Sequence, residues 1–137
     1  MQLSATSQYA IRILVYMAGQ KDSQSINAAE LAETLLIPYK FLAKIMTSLV
    51  KVGLVESIRG KEGGYKLKKK ASDIMVGDIL DAFHDSIKDE QCILGIGFCN
   101  GICKCALHDQ WMEPKLLLQK MFRESSLEDI AGRGCKR

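Results

Sequence analysis

The chain has 137 residues, of which 47% are hydrophobic and 26% are charged, and this size suits one compact domain with an appendage. Its longest apolar run, Ile13 to Ala18, is far too short to span a membrane, and no basic and then apolar leader precedes it, so we expect a cytoplasmic protein with no membrane partner. The net charge of +3 is uneven, because residues 1–70 carry eleven Lys and Arg against five Asp and Glu, whereas residues 71–137 carry eight against eleven.

The N-terminal part of the chain predicts two helices. Apolar residues recur at three- and four-residue spacing from about Ser4 to Gln20, which indicates an amphipathic packing helix. A second, short helix is predicted from Asn27 to about Leu36, because Asn27 can serve as N-cap and Glu30, three residues later, completes an approximate capping box.

A third helix is predicted from Pro38 to Val52, with Pro38 in its first turn and Gly53 as its left-handed C-terminal cap. Its buried stripe is expected to contain Leu42, Ile45, Met46, Leu49 and Val50. Donor groups on its other face are expected to meet DNA, from Tyr39, Lys40, Lys44, Thr47 and Ser48. Two helices joined by about two residues, the second of them basic outside, form the helix-turn-helix pattern, although any small helical core contains helix pairs.

A β-hairpin is predicted directly after this helix pair. Leu54 to Arg59 has strand character, residues 60–64 supply turn residues, and Tyr65 to Leu67 begins a return strand. A glycine-rich hairpin that carries Arg59 and Lys61 in this position predicts the wing of a winged helix, whose tip enters a minor groove of DNA. The excess of positive charge in residues 1–70 agrees with a module that binds a polyanion.

Two more helices are predicted in the C-terminal half. Ser72 or Asp73 can cap a helix from about Met75 to Ile87, on which His84 is expected to be a surface or partly packed residue. A last helix, from Leu107 to about Glu124, has more apolar surface than a solitary helix exposes comfortably, so a partner is expected to cover it. Its apolar residues are Trp111, Leu117, Leu118, Met121 and Phe122. Residues 126–130 are expected to add a short helical turn before a frayed tail that holds Cys135.

The segment from Cys92 to His108 separates these two helices. It contains four of the five cysteines, namely Cys92, Cys99, Cys103 and Cys105. Three glycines lie between them, and the apolar residues follow neither a helical nor a strand period, which predicts a ligand loop. In a reducing compartment, clustered cysteines are metal ligands or redox groups more often than a disulfide framework.

The type of ligand follows from donor softness and spacing. Thiolates with an imidazole select zinc, copper(I) or iron–sulfur centres, and they exclude calcium and magnesium. Zinc sites usually present close cysteine pairs, whereas the well-spread set here is Cys92, Cys99, Cys105 and His108, which favours an iron–sulfur cluster. Zinc, buried apolar thiols and a disulfide remain as alternatives.

Several of these motifs together resemble the IscR-type winged-helix regulators, a family that includes NsrR and RirA. The resemblance covers residues 1 to about 123, and its carriers are Leu3 to Ile11, Ala29 to Gly53, Ser57 to Tyr65, Val76 to Ile79, and Cys92, Cys99, Cys105, His108 and Trp111. It implies a mainly α fold, in which a winged helix-turn-helix with a small β-hairpin wing is joined to a long C-terminal dimerisation helix. It also implies a homodimer with a [2Fe–2S] or [4Fe–4S] cluster near its interface.

The ligand set implied by the resemblance is Cys92, Cys99 and Cys105, with His108 in the place where the IscR branch completes a [2Fe–2S] site. Cys103 is the alternative fourth ligand. A [2Fe–2S] cluster is therefore favoured, and a [4Fe–4S] cluster is the second choice.

These observations predict a DNA-binding transcription regulator, either a repressor or an activator, whose DNA affinity or site choice depends on an iron–sulfur cluster. Through this cluster the regulator is expected to sense cluster status, iron, nitric oxide or redox stress. It is expected to bind a pseudo-palindromic operator of double-stranded DNA as a homodimer. Residues 1–88 are the expected DNA-binding domain, residues 89–106 the cluster-binding loop, and residues 107–137 the dimerisation helix with its tail.

Three other functions were compared with this prediction. A zinc-based or thiol-based redox regulator of the same fold would switch through Cys99, Cys103 and Cys105. A small iron–sulfur electron carrier would need neither a helix-turn-helix nor a basic wing. An enzyme is not expected, because the two histidines lack a convincing nucleophile partner and no phosphate-cradling motif is present.

Overall fold

The computed structural model describes residues 3–20, 24–89, 91–96 and 104–132. Within these ranges it contains six α-helices and one antiparallel pair of strands, in the order helix, helix, helix, hairpin, helix, helix, helix. The helices are α1 Ala5–Ala18, α2 Ala28–Leu35, α3 Tyr39–Lys51, α4 Val76–Ala82, α5 His108–Glu124 and α6 Leu127–Ala131, and the strands are β1 Val55–Ile58 and β2 Gly64–Leu67. This architecture confirms the predicted mainly α winged helix-turn-helix.

Helix α1 lies at the centre of the core. It begins at Ser4, whose hydroxyl accepts a hydrogen bond from the backbone N–H of Ser7 at 3.2 Å. Its apolar stripe is packed against α2, α3, α4, α6 and the hairpin. Burial of that stripe from several sides explains why a helix with little polar surface is stable at the N-terminal end of the fold.

The helix-turn-helix begins and ends where local signals predicted. The side chain of Asn27 accepts a hydrogen bond from the N–H of Glu30 at 2.7 Å, which starts α2. Leu36 closes α2 in the left-handed conformation with φ 56°, and Arg12 donates to the carbonyl of Leu35 at 2.7 Å. Three residues therefore separate α2 from α3, and Arg12 fixes the end of α2 to α1.

Helix α3 differs from its prediction at two places. Pro38 is the N-cap rather than a first-turn residue, and Gly53 has the expected positive φ of 82° after the helix. Val50 is 37% exposed, whereas the other four residues of the predicted stripe are buried. The prediction was correct for four residues and wrong for Val50. Leu42, Ile45, Met46 and Leu49 already fill the side of α3 that faces the core.

The hairpin is attached to the chain that enters α2. Val55 pairs with Leu67 and Ile58 with Gly64, and Ile26 forms an isolated bridge with Tyr65. The two bridge hydrogen bonds, from Ile26 N–H and from Tyr65 N–H, measure 2.9 and 2.8 Å. A Cβ atom on Gly64 would lie 2.5 Å from the carbonyl oxygen of Ile26, so this close approach requires glycine.

Helix α4 is shorter than predicted, and the predicted caps are wrong. Ser72 and Asp73 belong to a 3₁₀ turn at Ala71–Asp73, while Met75 is the N-cap and its N–H donates to the carboxylate of Asp78 at 3.0 Å. The helix ends at Ala82, because the N–H of Asp85 donates to the carbonyl of Leu80 at 2.8 Å.

The residues after α4 and α5 complete the fold. His84 is exposed in a left-handed turn with φ 55°, not on a helix. The predicted short helix after residue 125 is confirmed as α6, which Ser126 and Asp129 start with a capping box. Leu127 of α6 is fully buried in the main core, and its N–H donates to the carbonyl of Ile74 at 2.7 Å. Among the described residues, no helix is long and apolar enough to cross a membrane.

Candidate DNA-binding surface and cysteine site

The outer face of α3 presents the side chains that were predicted to meet DNA. Tyr39, Lys40, Lys44 and Thr47 are exposed, and Ser48 is partly exposed. The hydroxyl of Thr47 donates to the carbonyl of Ala43 at 2.9 Å, so its oxygen remains as a hydrogen-bond acceptor. With thirteen residues, α3 is about 20 Å long, and an α-helix fits the major groove of B-DNA.

The hairpin turn carries two further cations. Arg59 and Lys61 are both exposed, next to the start of α2, and with Asn27 and Glu30 they line a groove of about 600 Å³. Lys66, by contrast, pairs across the strands with Glu56 at 3.4 Å. The wing therefore offers Arg59 and Lys61, rather than Lys66, for contacts with phosphates.

Cys92 and Cys105 meet in the structure although thirteen positions separate them in the sequence. Cys92 is buried and Cys105 is partly exposed. Burial acts to raise the pKa of the Cys92 thiol, but hydrogen bonds from the backbone N–H of Leu94 and from the Cys105 side chain outweigh it, so the pKa falls from 9.0 to about 7. The lowered pKa favours the thiolate, which is the form of cysteine that binds metals.

His108 is the first residue of α5, and it is buried. Its N–H donates to the carbonyl of Cys105 at 3.1 Å, which joins the two residues in one turn. Among the described residues, its ring nitrogen Nδ1 is buried without a hydrogen-bond partner. A buried imidazole nitrogen without a partner is costly, and a metal ligand bond is one way of satisfying it.

The rest of the predicted ligand set is outside the described residues, since Cys99, Cys103 and the tail residue Cys135 all lie there. In the part of the chain that the structure describes, no three His, Cys, Asp or Glu side chains gather into a metal-binding group. The donors that the structure brings together are thus Cys92 and Cys105, with His108 on the turn that follows.

The exposed surface of α5 only partly matches its prediction. Leu116, Leu117 and Met121 are exposed, with Leu117 at 60%, while Leu118 and Phe122 are partly buried. Trp111 was wrongly assigned to this surface, because it is buried and its indole N–H donates to the carbonyl of Gln91 at 3.1 Å. The apolar residues of α5 therefore lie on two faces, one packed against the rest of the chain and one exposed to solvent.

A functional candidate that the sequence did not reveal is Lys115, which is 1% exposed. Its Nζ donates to the backbone carbonyl of Asp89. A lysine in an otherwise mixed helix is normally assigned to the surface, since fully buried lysines are rare. The four-residue spacing from Trp111 was the available signal that Lys115 shares the inner face.

Comparison with known proteins places the chain in a family. A model described as "Rrf2: Iron-dependent Transcriptional regulator" matches residues 3–133. The chain belongs to the Rrf2 family. A protein of Aquifex aeolicus with the name "Putative HTH-type transcriptional regulator" is 35% identical over 95% of this chain and 91% of its own length. The HTH-type transcriptional regulator IscR of Escherichia coli O1:K1 is 30% identical over 97% of this chain and 87% of its own length.

Solved structures show the same Rrf2 fold. CymR, the global cysteine regulator of B. subtilis, superposes with a TM-score of 0.82 at 22% identity, over 96% of this chain and 97% of that chain. The IscR of T. potens gives a TM-score of 0.75 at 23% identity, over 94% of this chain and 85% of that chain. The predicted resemblance to IscR-type regulators is confirmed, and this Rrf2 protein is a DNA-binding transcription regulator rather than an enzyme.

Proposed function

We propose that this Rrf2-family regulator is a homodimer that acts in the cytoplasm on a pseudo-palindromic operator, and that an iron–sulfur cluster controls its DNA affinity or site choice. The observation that carries the proposal is the meeting of the Cys92 and Cys105 thiols at the start of α5, where Nδ1 of His108 is buried without a partner among the described residues. The description of the family as iron-dependent and the relatives named IscR support it.

The donors present fit an iron–sulfur cluster. The Cys92 and Cys105 side chains are hydrogen-bonded, and the backbone N–H of His108 donates to the carbonyl of Cys105. The proposed ligands are Cys92, Cys99, Cys105 and His108, with Cys103 as the alternative fourth ligand. A nitrogen ligand that replaces a cysteine favours a [2Fe–2S] cluster over a [4Fe–4S] cluster. When bound, such a cluster supplies sensitivity to iron supply, nitric oxide and redox stress.

The proposed ligands connect the parts of the regulator. We assign residues 1–88 to DNA binding, residues 89–106 to the cluster-binding loop, and residues 107–137 to dimerisation and the tail. The exposed apolar residues Leu116, Leu117 and Met121 of α5 are the proposed contact with the second copy, because such a patch is otherwise costly in water. Ligand binding at the start of α5 can shift DNA binding only if it favours one arrangement of the two copies.

A thiol-based regulator of the same fold is the second candidate function. The observation that favours it is the hydrogen bond between the Cys92 and Cys105 side chains, together with the lowered pKa of Cys92, since thiolates are the reactive form of cysteine. Oxidation of these two thiols would then replace cluster loss as the signal.

DNA binding is proposed to use Tyr39, Lys40, Lys44, Thr47 and Ser48 of α3, with Arg59 and Lys61 of the wing. If Lys44 contacts a phosphate, Lys44→Ala should weaken binding to all sequences alike and reduce the salt slope by about one.

Arg59→Ala should cost about 1–3 kcal/mol if Arg59 reads a base edge. Fluorescence anisotropy over a salt series measures both, with the exposed α5 residue Lys120→Ala as control. An unchanged affinity of a folded Arg59→Ala variant would remove the wing from the interface.

The experiment that tests the function is anaerobic purification followed by spectroscopy and operator binding. We expect visible charge-transfer absorption, two chains per particle in light scattering, and different operator affinities for the loaded and cluster-free protein. A colourless protein whose operator affinity responds to oxidation of Cys92 and Cys105 would favour the thiol-based regulator. Equal affinity of loaded and cluster-free protein for every natural operator would end the proposal of cluster control.

A further inference from the structure

One face of α5 is hydrogen-bonded to the backbone that leads into Cys92. Trp111 Nε1 donates to the carbonyl of Gln91 at 3.1 Å, and Lys115 Nζ donates to the carbonyl of Asp89. Gln119 Nε2 donates to the carbonyl of Ile87 at 2.9 Å and to the carboxylate of Asp89 at 3.1 Å. Three side chains of one helix thus hold one irregular segment of chain.

The spacing of these contacts fixes the register between the helix and the segment. The donors follow one another every four residues along α5, and the acceptors every two residues in the opposite direction, at Ile87, Asp89 and Gln91. Donors spaced by four residues share a helix face and rise by about 6 Å per step. The segment can therefore slide neither along α5 nor around it without breaking several hydrogen bonds.

The two halves of the cysteine site lie directly beyond the contact of Trp111 with Gln91. His108 precedes Lys115 by seven residues, about two helical turns, and so lies on the same face of α5. Cys92 directly follows Gln91, the last acceptor. The contact of Cys92 with Cys105 and the burial of His108 agree with this placement.

Lys115 is the central contact, and packing alone does not account for it. Its side chain is 1% exposed, and burial of an amino group is costly unless it is hydrogen-bonded. A methionine of similar length would fill the same space without that cost. What a methionine lacks is the donor that holds the carbonyl of Asp89.

We propose that Lys115, with Trp111 and Gln119, is a positioning residue that holds Cys92 against the start of α5 before any metal binds. The arrangement of the Cys92 thiol is then set by α5 rather than by the loop itself. The role of the positioned Cys92 as a metal ligand rests on the proposed function. The positioning itself is a property of the metal-free chain and can be measured there.

The test is the reactivity of Cys92 in the reduced, metal-free, full-length protein. At a pH above 9.0, the ordinary pKa of the thiol, Lys115→Met should increase the rate of Cys92 alkylation by iodoacetamide, mapped by mass spectrometry, by about tenfold. That is the factor expected when one buried hydrogen bond no longer opposes local opening. Hydrogen exchange of the peptide spanning residues 87–92 should accelerate, while the amides of α1 keep their protection. Lys120→Met, an exposed lysine of the same helix, is the matched control and should change neither rate.

Local loosening must be distinguished from a general loss of stability. If Lys115→Met speeds exchange equally in α1 and in residues 87–92, or leaves the Cys92 rate at the wild-type value, the positioning role is overturned. Should Lys115→Met fail to fold, Gln119→Leu, which removes the contacts to Ile87 and Asp89, is measured in the same way against the same two outcomes. If Lys115→Met speeds the reaction of Cys92 but the wild-type protein never binds a cluster, the positioning role is supported and the proposed function is refuted. The two ideas therefore fail separately.

Discussion

Replacement of Cys92, Cys99 or Cys105 by Ala is expected to abolish the visible absorption of the anaerobically purified protein. Each change removes one thiolate from the proposed ligand set, and an iron–sulfur cluster that lacks a protein ligand is exposed to solvent and lost. Absorption and iron content measured per chain report the effect. His108→Ala is expected to weaken cluster binding or to alter its spectrum, because a different ligand must take the place of the imidazole.

The matched control for these variants is Cys135→Ala, which removes a tail cysteine and should leave the spectrum unchanged. Cys103→Ala distinguishes the two fourth ligands. Loss of the cluster in Cys103→Ala, with a normal spectrum in His108→Ala, would replace His108 by Cys103 in the ligand set. Retention of the full spectrum in Cys92→Ala would contradict the site itself.

Leu127→Ala is expected to lower the free energy of unfolding by about 2–5 kcal/mol, as usual for removal of a fully buried leucine side chain. Leu127 belongs to α6, after the long helix α5, but it packs in the same core as α1 and α3. Urea unfolding monitored by circular dichroism measures the change. Ile96→Ala, at a residue that is 76% exposed and lies outside α5, is the control and should cost far less.

A loss below about 1 kcal/mol in Leu127→Ala would show that α6 contributes little to the core, because surface substitutions usually fall in that range. The backbone contacts of α6 argue for the larger value. The N–H of Leu127 donates to the carbonyl of Ile74, and the N–H of Val76 donates to the carbonyl of Ser125 at 2.8 Å.

Features that depend on neighbouring residues could be predicted from the sequence. Asn27 starts α2 through its own side chain, and Gly53 follows α3 with the positive φ that glycine tolerates. The wing was predictable for the same reason, since turn residues between two short strands specify a hairpin locally. These local signals, together with the family motifs, were sufficient for the fold.

Features that depend on distant residues could not be predicted in this way. The start of α4 depends on Ile74, whose carbonyl accepts a hydrogen bond from Leu127 of α6. The four-residue spacing from Trp111 indicates that Lys115 shares the inner face, but the sequence does not show that the carbonyl of Asp89 accepts from its Nζ. The ligand roles of Cys99 and Cys103 stay predictions, because both residues lie outside the described part of the chain.

The bridge between Ile26 and Tyr65 is expected to affect how the proposed dimer selects its operators. Because it ties the wing to the chain entering α2, we expect the wing and the helix-turn-helix to move as one rigid unit. In the proposed dimer, the two DNA-binding domains contact half-sites that are one helical turn apart. This distance is about 34 Å, or about 10 base pairs. One additional base pair between the half-sites moves the second half-site by about 3.4 Å and rotates it by about 34° around the DNA axis. A rigid DNA-binding domain cannot follow this displacement and keep its contacts. For the proposed dimer, the distance between half-sites is therefore expected to be as much a part of the recognised signal as the bases themselves.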